Sequence, residues 1–474
     1  MKRYEALAAD IAASIDSGVL KPGDKLPSVR QASRSRQLSP ATVFAAYYLL
    51  ESRGLIRARP QSGYYVAMPV KPLPPAPVQA SQPDGEAREV AISELVFEIL
   101  ESVMTREVVP LGSAFPSPLL FPLAKLGRAM AAAATQLDPW SSVDDLTPGS
   151  LALRQQIALR YQLDGARIGA DDIVITNGAM EALNLCLAAL CKPGDAVVVE
   201  SPCFYACLQA LERHGLRAIE VATDPRTGID LDALTLAIAR QRPRAIWLMT
   251  NFQNPLGSTM DAAKKRALAT LAAQHEVPLI EDDVYAELYF DGRRPTPTKA
   301  FDAHGWVLHC SSFSKSLAPG YRIGWVAPGR FVRMIAQHKL MASLATCIPA
   351  QLALARYLER GHYDRHLRGL RLTLRKQRDD YIDAIGRSFP PDTRISRPSG
   401  GYFLWLELPP GSDALALQRR AMRAGVSIAP GPMFSAAHGF HHCLRINYGH
   451  PLTTRAEAAL QRVGRLAMRQ HGGA

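Results

Sequence analysis

Six prolines fall among residues 69–83, and the stretch PVKPLPPAPVQASQPDGEARE (69–89) has almost nothing to bury. Proline fixes φ and removes a backbone donor, so this tract reads as an extended, semi-rigid spacer. It forces the chain into separate cores, one within residues 1–68 and another beyond residue 90. A length of 474 residues suits about three domains, and 47% hydrophobic against 21% charged residues leaves enough apolar surface for sizeable cores.

The spacer also divides the charge. The net formal charge is +12, and residues 1–68 carry ten Lys/Arg against five acids, so +5 sits on about a seventh of the chain. An excess of this kind suits nucleic acid, an anionic membrane surface or anionic small ligands. No run approaches the roughly 18 apolar residues that span a bilayer. The N-terminus carries Glu5, Asp10 and Asp16 inside a helical pattern, so no signal peptide is expected. Seven scattered cysteines without a Cys-x-x-Cys pair fit a reducing, cytoplasmic compartment.

Punctuation places three helices in the basic piece. The first covers about residues 4–17 and stops at Gly18; Ser28 is an N-cap for VRQASRSRQ; Ser39 and Pro40 open ATVFAAYYLLESRG, which stops at Gly54. LIRARPQSGYYVA then reads as two short strands turning near Gly63. This is the outline of a winged helix-turn-helix, in which an exposed helix N-terminus meets base edges and cations hold phosphates. Ser39, Ala41, Thr42 and Phe44 occupy that end of the candidate reading helix, with Arg30, Arg57 and Arg59 as phosphate contacts. Composition alone favours a small helical bundle with a solvated basic face; the sequence details reverse that preference.

Over nearly its whole length this piece resembles the GntR-type DNA-binding domain, most specifically in Pro-Gly-Asp-x-Leu-Pro-Ser-x-Arg and the terminal Ser-Gly-Tyr-Tyr-Val. SRSRQLSPAT departs from the leucine-alanine and glycine-valine pattern usual before the reading helix. The resemblance implies double-stranded DNA as a partner. A basic membrane-binding arm fits poorly, because amphipathic apolar anchors are missing.

Beyond the spacer, apolar runs (DDIVITNG, DAVVVESP, LRAIEVAT, RAIWLMTN, VPLIEDD, WVLHCSSF) alternate with helical stretches up to about residue 330. That alternation predicts an α/β domain with a mostly parallel sheet covered on both faces. Residues 331–474 are helix-dominated and end in FLWLELP, VSIAPG and CLRINYG, which suggests a small α+β subdomain.

The sharpest chemical signal is SSFSKSLAPGYRIGW, where Lys315 is flanked by Ser312 and Ser314 and followed by Arg322. A Schiff-base lysine needs its amine kept from full solvation, and a nearby phosphate needs hydroxyls and a guanidinium fork. An ordinary Lys/Arg pair in a serine-rich loop has the same spacing. Four further segments add to it. In ITNGAMEAL a strand meets a helix at Gly178, Ala179 and Met180, whose amides suit a phosphate. Phe204 follows a strand and suits ring stacking or core packing. Asn254 ends another strand, as a donor to a ring hydroxyl or a turn residue. Asp282, with Tyr285 three residues on, suits a buried pyridine nitrogen or the acidic start of a helix.

In order, these segments resemble the fold type I pyridoxal-phosphate domain of the aspartate-aminotransferase type, over about residues 110–465. The resemblance implies pyridoxal 5'-phosphate as cofactor and gives Lys315 the Schiff base and the proton-transfer role. Asp282 would pair with the ring nitrogen, Asn254 and Tyr285 with the ring hydroxyl, and Phe204, where tyrosine is commoner, would stack on the ring. Ser312, Ser314, Arg322 and the amides of Gly178, Ala179 and Met180 would hold phosphate. Arg445, late in HHCLRINYGH, would fork onto an α-carboxylate. SGGYFLWLEL matches the strand before it, and LGSAFPSPLLFP the segment that covers the substrate.

The spacing of His362 and His366 would suit a metal, but no third ligand presents itself, so no metal site is expected and a solvated helix face is the better account; Cys203 and Cys207 read as packing residues. A GntR-type reader joined to an aminotransferase-like domain resembles the MocR group. That arrangement implies a homodimeric transcriptional regulator sensing an amino acid, an amine or the cofactor itself. A working α-amino-acid:2-oxo-acid aminotransferase with an appended reader is the alternative.

Overall fold

The computed structural model describes residues 3–53, 55–59, 62–66, 73–101, 107–144 and 146–470. The chain separates into two compact units, residues 1–73 and residues 74–474.

In the first unit, three helices, α1 (Arg3–Asp16), α2 (Val29–Arg36) and α3 (Pro40–Ser52), precede a hairpin of β1 (Ile56–Arg59) and β2 (Gly63–Val66). The caps fall where the sequence places them: Ser28 Oγ accepts from Gln31 N, and Ser39 Oγ from Thr42 N. Leu7, Ala8 and Ile11 of α1 pack on Val43, Ala46, Tyr47 and Leu50 of α3 and on Ile56 and Val66 of the hairpin. The hairpin is antiparallel, with Arg57 opposite Tyr65 and Arg59 opposite Gly63. The expected stop at Gly54 and the tip of the hairpin at residues 60–61 lie outside the described residues.

The second unit shortens the spacer. Residues 69–72 lie outside the described residues, but from Pro74 onward the chain is docked rather than free. Pro75 O accepts from Ile395 N at 2.8 Å, Ser81 N donates to Thr223 O at 3.2 Å, and β3 (Ala87–Glu89) pairs with the sheet edge. Proline lacks a donor but retains its carbonyl, and Pro74 O accepts from Arg397 Nη2 at 2.9 Å as Pro75 O does from Ile395 N.

The large sheet runs in the order β3, β6 (Arg217–Asp224), β5 (Ala196–Ser201), β8 (Ala245–Leu248), β9 (Leu279–Asp282), β10 (Val307–Ser312), β11 (Gly324–Ala327) and β4 (Val174–Thr176), with β7 (Gly228–Ile229) beside β6. The strands from β6 to β10 are parallel. Alternate residues feed two apolar layers: Val197, Val199, Ala245 and Trp247 enter one, and Val198, Ile246 and Leu248 enter the other. This period of two with both faces buried is the pattern expected of helix-covered parallel strands. Strand β11, which begins at the end of the lysine motif, is an addition to the sequence reading, because four residues are too short a run to stand out.

A four-stranded antiparallel sheet, β12 (Arg394–Ile395), β13 (Phe403–Glu407), β15 (Cys443–Asn447) and β14 (Ala429–Pro430), forms the small subdomain. The 27-residue helix His362–Ser388 leads into it. Among the described residues no helix is long and apolar enough to cross a membrane.

Candidate cofactor and ligand site

Parallel strands present their carboxyl ends to one edge, where α/β sheets carry their sites. Thr176, Ser201, Asp282 and Ser312 end β4, β5, β9 and β10, so the segments holding Gly178, Phe204, Asp282 and Lys315 begin there. Asn254 follows β8 in the same way.

Lys315 is partly exposed, with Nζ donating to Ala114 O at 3.0 Å and standing 3.9 Å from the centre of the Phe115 ring. Desolvation of the amine, together with the positive charges of Arg445 and Arg322, draws it down to about 7, and Asp282 opposes the shift. A substantial neutral fraction near pH 7 is what a nucleophilic amine needs.

Asp282 is buried, and burial followed by the charge of Asp283 pushes its carboxyl up to about 7. Its Oδ1 has no hydrogen-bond partner, and neither has Nδ2 of the fully buried Asn254. Unpaired buried polar atoms are costly, so both call for a partner. One can accept from a protonated ring nitrogen and the other can donate to a ring hydroxyl. Tyr285 is buried beside them, its ring edge-on to Tyr402 at 5.4 Å, and burial raises its hydroxyl.

At the opposite end, Arg322 Nη1 donates to Ser314 Oγ at 3.1 Å and Nη2 to Asn177 O at 3.4 Å. Arg322 has a φ of 54°, uncommon for a residue with a side chain and frequent at functional sites. The helix Ala179–Leu190 starts here, with Ala179 and Met180 amides at its open end. Gly178 is corrected as a donor: its N–H bonds Thr176 O at 2.9 Å. Its role is shape, since φ is 79° and a Cβ would strike the Arg322 guanidinium. Ser312 and Ser314 are both buried, and Ser312 Oγ accepts from Ser314 N at 3.4 Å. Phe204 caps the helix Tyr205–Arg213, half-buried, with its ring tilted against Tyr205 at 4.9 Å.

Arg445 is fully buried on β15. Nη1 donates to Asn254 Oδ1 at 2.9 Å, Nη2 to Gly112 O at 2.7 Å and Ser113 O at 3.2 Å, and Nε has no partner. Its guanidinium lies 4.1 Å from the Phe403 ring centre. No carboxylate is among these partners, so a buried charge stands ready for an anion. Gly112 and Ser113 belong to the segment read as a substrate cover, and Asn447 Nδ2 also fastens it through Ser113 O and Phe115 O.

Other residues matter that the sequence did not single out. Tyr205 and Tyr402 are buried, and Tyr402 OH donates to Ala114 O at 3.2 Å in the covering segment. His366 is half-buried with Nε2 against Ser316 O at 2.8 Å, not on a solvated face, and so braces the residue after Lys315. Cys203 and Cys207 are buried packing residues. In the first unit, Arg30, Ser39, Ala41, Phe44 and Arg57 are exposed and Thr42 is half-buried; the side chain of Arg59 lies outside the described residues.

Residues 145–462 match the family of class I and II aminotransferases, and residues 3–66 match the gntR family of bacterial regulatory proteins. The chain belongs to the class I and II aminotransferases, in the MocR-type fusion with a gntR head. The uncharacterized HTH-type transcriptional regulators YdcR and YjiR of Escherichia coli K12 are similar at 48% and 40% identity; the alignments cover 98% and 99% of this chain and 99% of each relative. Among solved structures, the α-aminoadipate aminotransferase LysN of Thermus thermophilus, complexed with N-(5'-phosphopyridoxyl)-L-leucine, is 28% identical with a TM-score of 0.73. That likeness covers 80% of this chain and 95% of the other. The MocR-type arrangement accounts for both a basic reader and a buried cofactor site on one chain.

Proposed function

We infer that this chain is a pyridoxal-phosphate-dependent DNA-binding transcriptional regulator whose aminotransferase domain senses an amino compound or the cofactor itself. The observation carrying the cofactor half is the pair of unpartnered buried atoms, Asp282 Oδ1 and Asn254 Nδ2, together with a lysine amine drawn down to about 7. When bound, pyridoxal phosphate supplies an aldehyde for that amine and a ring that accepts electrons. The residues present fit it: Asp282 accepts from the ring nitrogen, Asn254 donates to the ring hydroxyl, and Tyr285 lines the same side. Ser312, Ser314, Arg322 and the amides of Ala179 and Met180 receive the phosphate. Arg445 grips a ligand carboxylate, and Lys315 holds or passes a proton beside it. The relatives named as HTH-type transcriptional regulators support the reader half. Ser39, Ala41 and Thr42 face base edges while Arg30, Arg57 and Arg59 hold phosphates.

A ligand shifts an equilibrium only through contacts that differ between two states. Here an amino acid would compete with Gly112 and Ser113 carbonyls for Arg445, giving such a difference. A homodimer in the cytoplasm, with two heads reading paired half-sites, completes the proposal. The presence of Lys315, Asp282 and Arg445 together also favours transaminase turnover as a second reading. Absorbance spectra of the loaded protein test both. Lys315→Ala must lose the visible band, and adding an amino acid must change the wild-type spectrum. Conversion to the amine form followed by turnover with a 2-oxo acid would establish the enzyme reading.

A further inference from the structure

Behind Asp282 runs a chain of buried polar groups that the site has not yet used. Trp325 Nε1 lies 2.9 Å from Tyr161 OH, Tyr161 OH lies 2.6 Å from His309 Nδ1, and His309 Nε2 lies 3.0 Å from Asp283 Oδ2. These side chains come from the helix Leu151–Leu163, β10, β11 and the residue after β9, and all are buried.

Donor and acceptor chemistry fixes the direction of this chain. An indole N–H can only donate, so the Tyr161 oxygen accepts from Trp325. A buried O–H calls for an acceptor, and His309 Nδ1 is the one beside Tyr161 among the described residues; that arrangement puts the imidazole proton on Nε2, facing Asp283. On the far side Asp283 Oδ1 accepts from Asn251 Nδ2 at 2.9 Å, and Lys265 Nζ donates to Asn251 Oδ1. Each donor is matched when Asp283 is an acceptor-only carboxylate. Burial pushes the Asp283 carboxyl up, and the bonds from His309 and Asn251 oppose that rise.

We propose that Asp283, kept ionised by the Tyr161–His309 relay, is a positioning residue whose negative charge helps hold a proton on a ring nitrogen seated against Asp282. Two adjacent carboxylates, one facing the site and one behind it, make a local potential that favours a cation more than Asp282 alone would. Glu281 and Lys265 act on Asp283, while Lys315 and Glu200 act on Asp282. Glu281 is held by Thr250 Oγ1 and by the amides of Thr298 and Lys299, on the neighbouring loop. Burial, the largest influence on Glu200, raises its carboxyl to about 8, which leaves it largely neutral near pH 7. Of the carboxylates around Asp282, Asp283 is the one whose charge bears on it.

The inference rests on the cofactor reading above. The test loads the full chain with pyridoxal phosphate labelled with nitrogen-15 in the ring and follows that resonance with pH. Asp283→Asn should lower the midpoint for ring-nitrogen deprotonation by about one unit or more, roughly tenfold in proton affinity. Tyr161→Phe removes one oxygen, frees the His309 tautomer and should shift the midpoint the same way, which keeps the test alive if Asp283→Asn does not fold. Wild-type midpoints in both variants, or upward shifts, would overturn the proposal if Asp282→Asn still lowers the midpoint. Failure of the wild type to bind the labelled cofactor would instead remove the cofactor reading and this inference with it.

Discussion

Arg445 and Asn254 share a hydrogen bond, Nη1 to Oδ1 at 2.9 Å, between β15 of the small subdomain and the loop after β8. Asn254 thereby orients the guanidinium while its Nδ2 stays unpartnered. One amide links the two halves of the pocket, so a change in either half reaches the other.

Arg445→Ala should leave the cofactor's visible band in place while weakening the spectral response to amino acids. Losing a desolvated, forked carboxylate contact costs about 2–5 kcal/mol, roughly 30-fold or more in affinity. Arg445→Lys should recover little, because an ammonium cannot fork. Equal amino-acid titrations in wild type and Arg445→Ala would remove this residue from ligand binding.

Gly178→Ala should weaken cofactor binding. The φ of 79° and the nearby Arg322 guanidinium both resist a Cβ. The strain is on the order of 1–3 kcal/mol and falls on the phosphate end. Titration of the apo chain with pyridoxal phosphate, read by absorbance, should show affinity about 5-fold or more below wild type. Unchanged affinity would mean that Arg322 does not need its present place.

Capture of pyridoxal phosphate by the apo protein should follow the neutral form of Lys315. With that amine at about 7, the capture rate should rise about tenfold per pH unit below 7 and level off above it. Stopped-flow absorbance from acid to mildly alkaline pH measures this. A rate still climbing steeply well above pH 8 would show an ordinary lysine.

In the first unit, Arg57→Ala should weaken DNA binding evenly across sequences and lower the salt slope by about one, as expected for loss of one phosphate contact. Thr42→Ala, in the first turn of α3, should instead alter sequence preference. Ser39→Ala should cost about 1 kcal/mol of stability by removing the cap on Thr42 N, read as a lower melting temperature. An unaltered salt slope in Arg57→Ala would place that arginine off the DNA.

Much of this was legible in the sequence because its signals are local. Ser28 and Ser39 cap the helices they precede, and the unbroken run Val197, Val198 and Val199 marks β5 as a strand buried on both faces. The segments around Gly178, Asp282 and Lys315 end strands whose shared edge follows from a parallel sheet. What stayed hidden depends on distant partners. The Gly178 amide reads as free in the sequence but turns onto Thr176, and residues 74–89 read as a free spacer although carbonyls meet donors across the fold. His366 at helical spacing suggested a solvated face, while its actual partner is Ser316 O. The Tyr161–His309–Asp283 relay joins residues far apart in sequence; its one local hint was a histidine inside the apolar strand WVLHCSSF.

If the cofactor site and the reader are coupled on one chain, a ligand at the first must change DNA affinity at the second. DNA fragments selected by the full-length protein from a random pool, labelled for fluorescence anisotropy, measure that coupling. With pyridoxal phosphate bound, an amino acid that changes the absorbance spectrum should also shift the DNA dissociation constant several-fold, and Lys315→Ala should abolish both responses. Identical DNA isotherms with and without that amino acid, despite a changed spectrum, would mean that the two sites are not coupled.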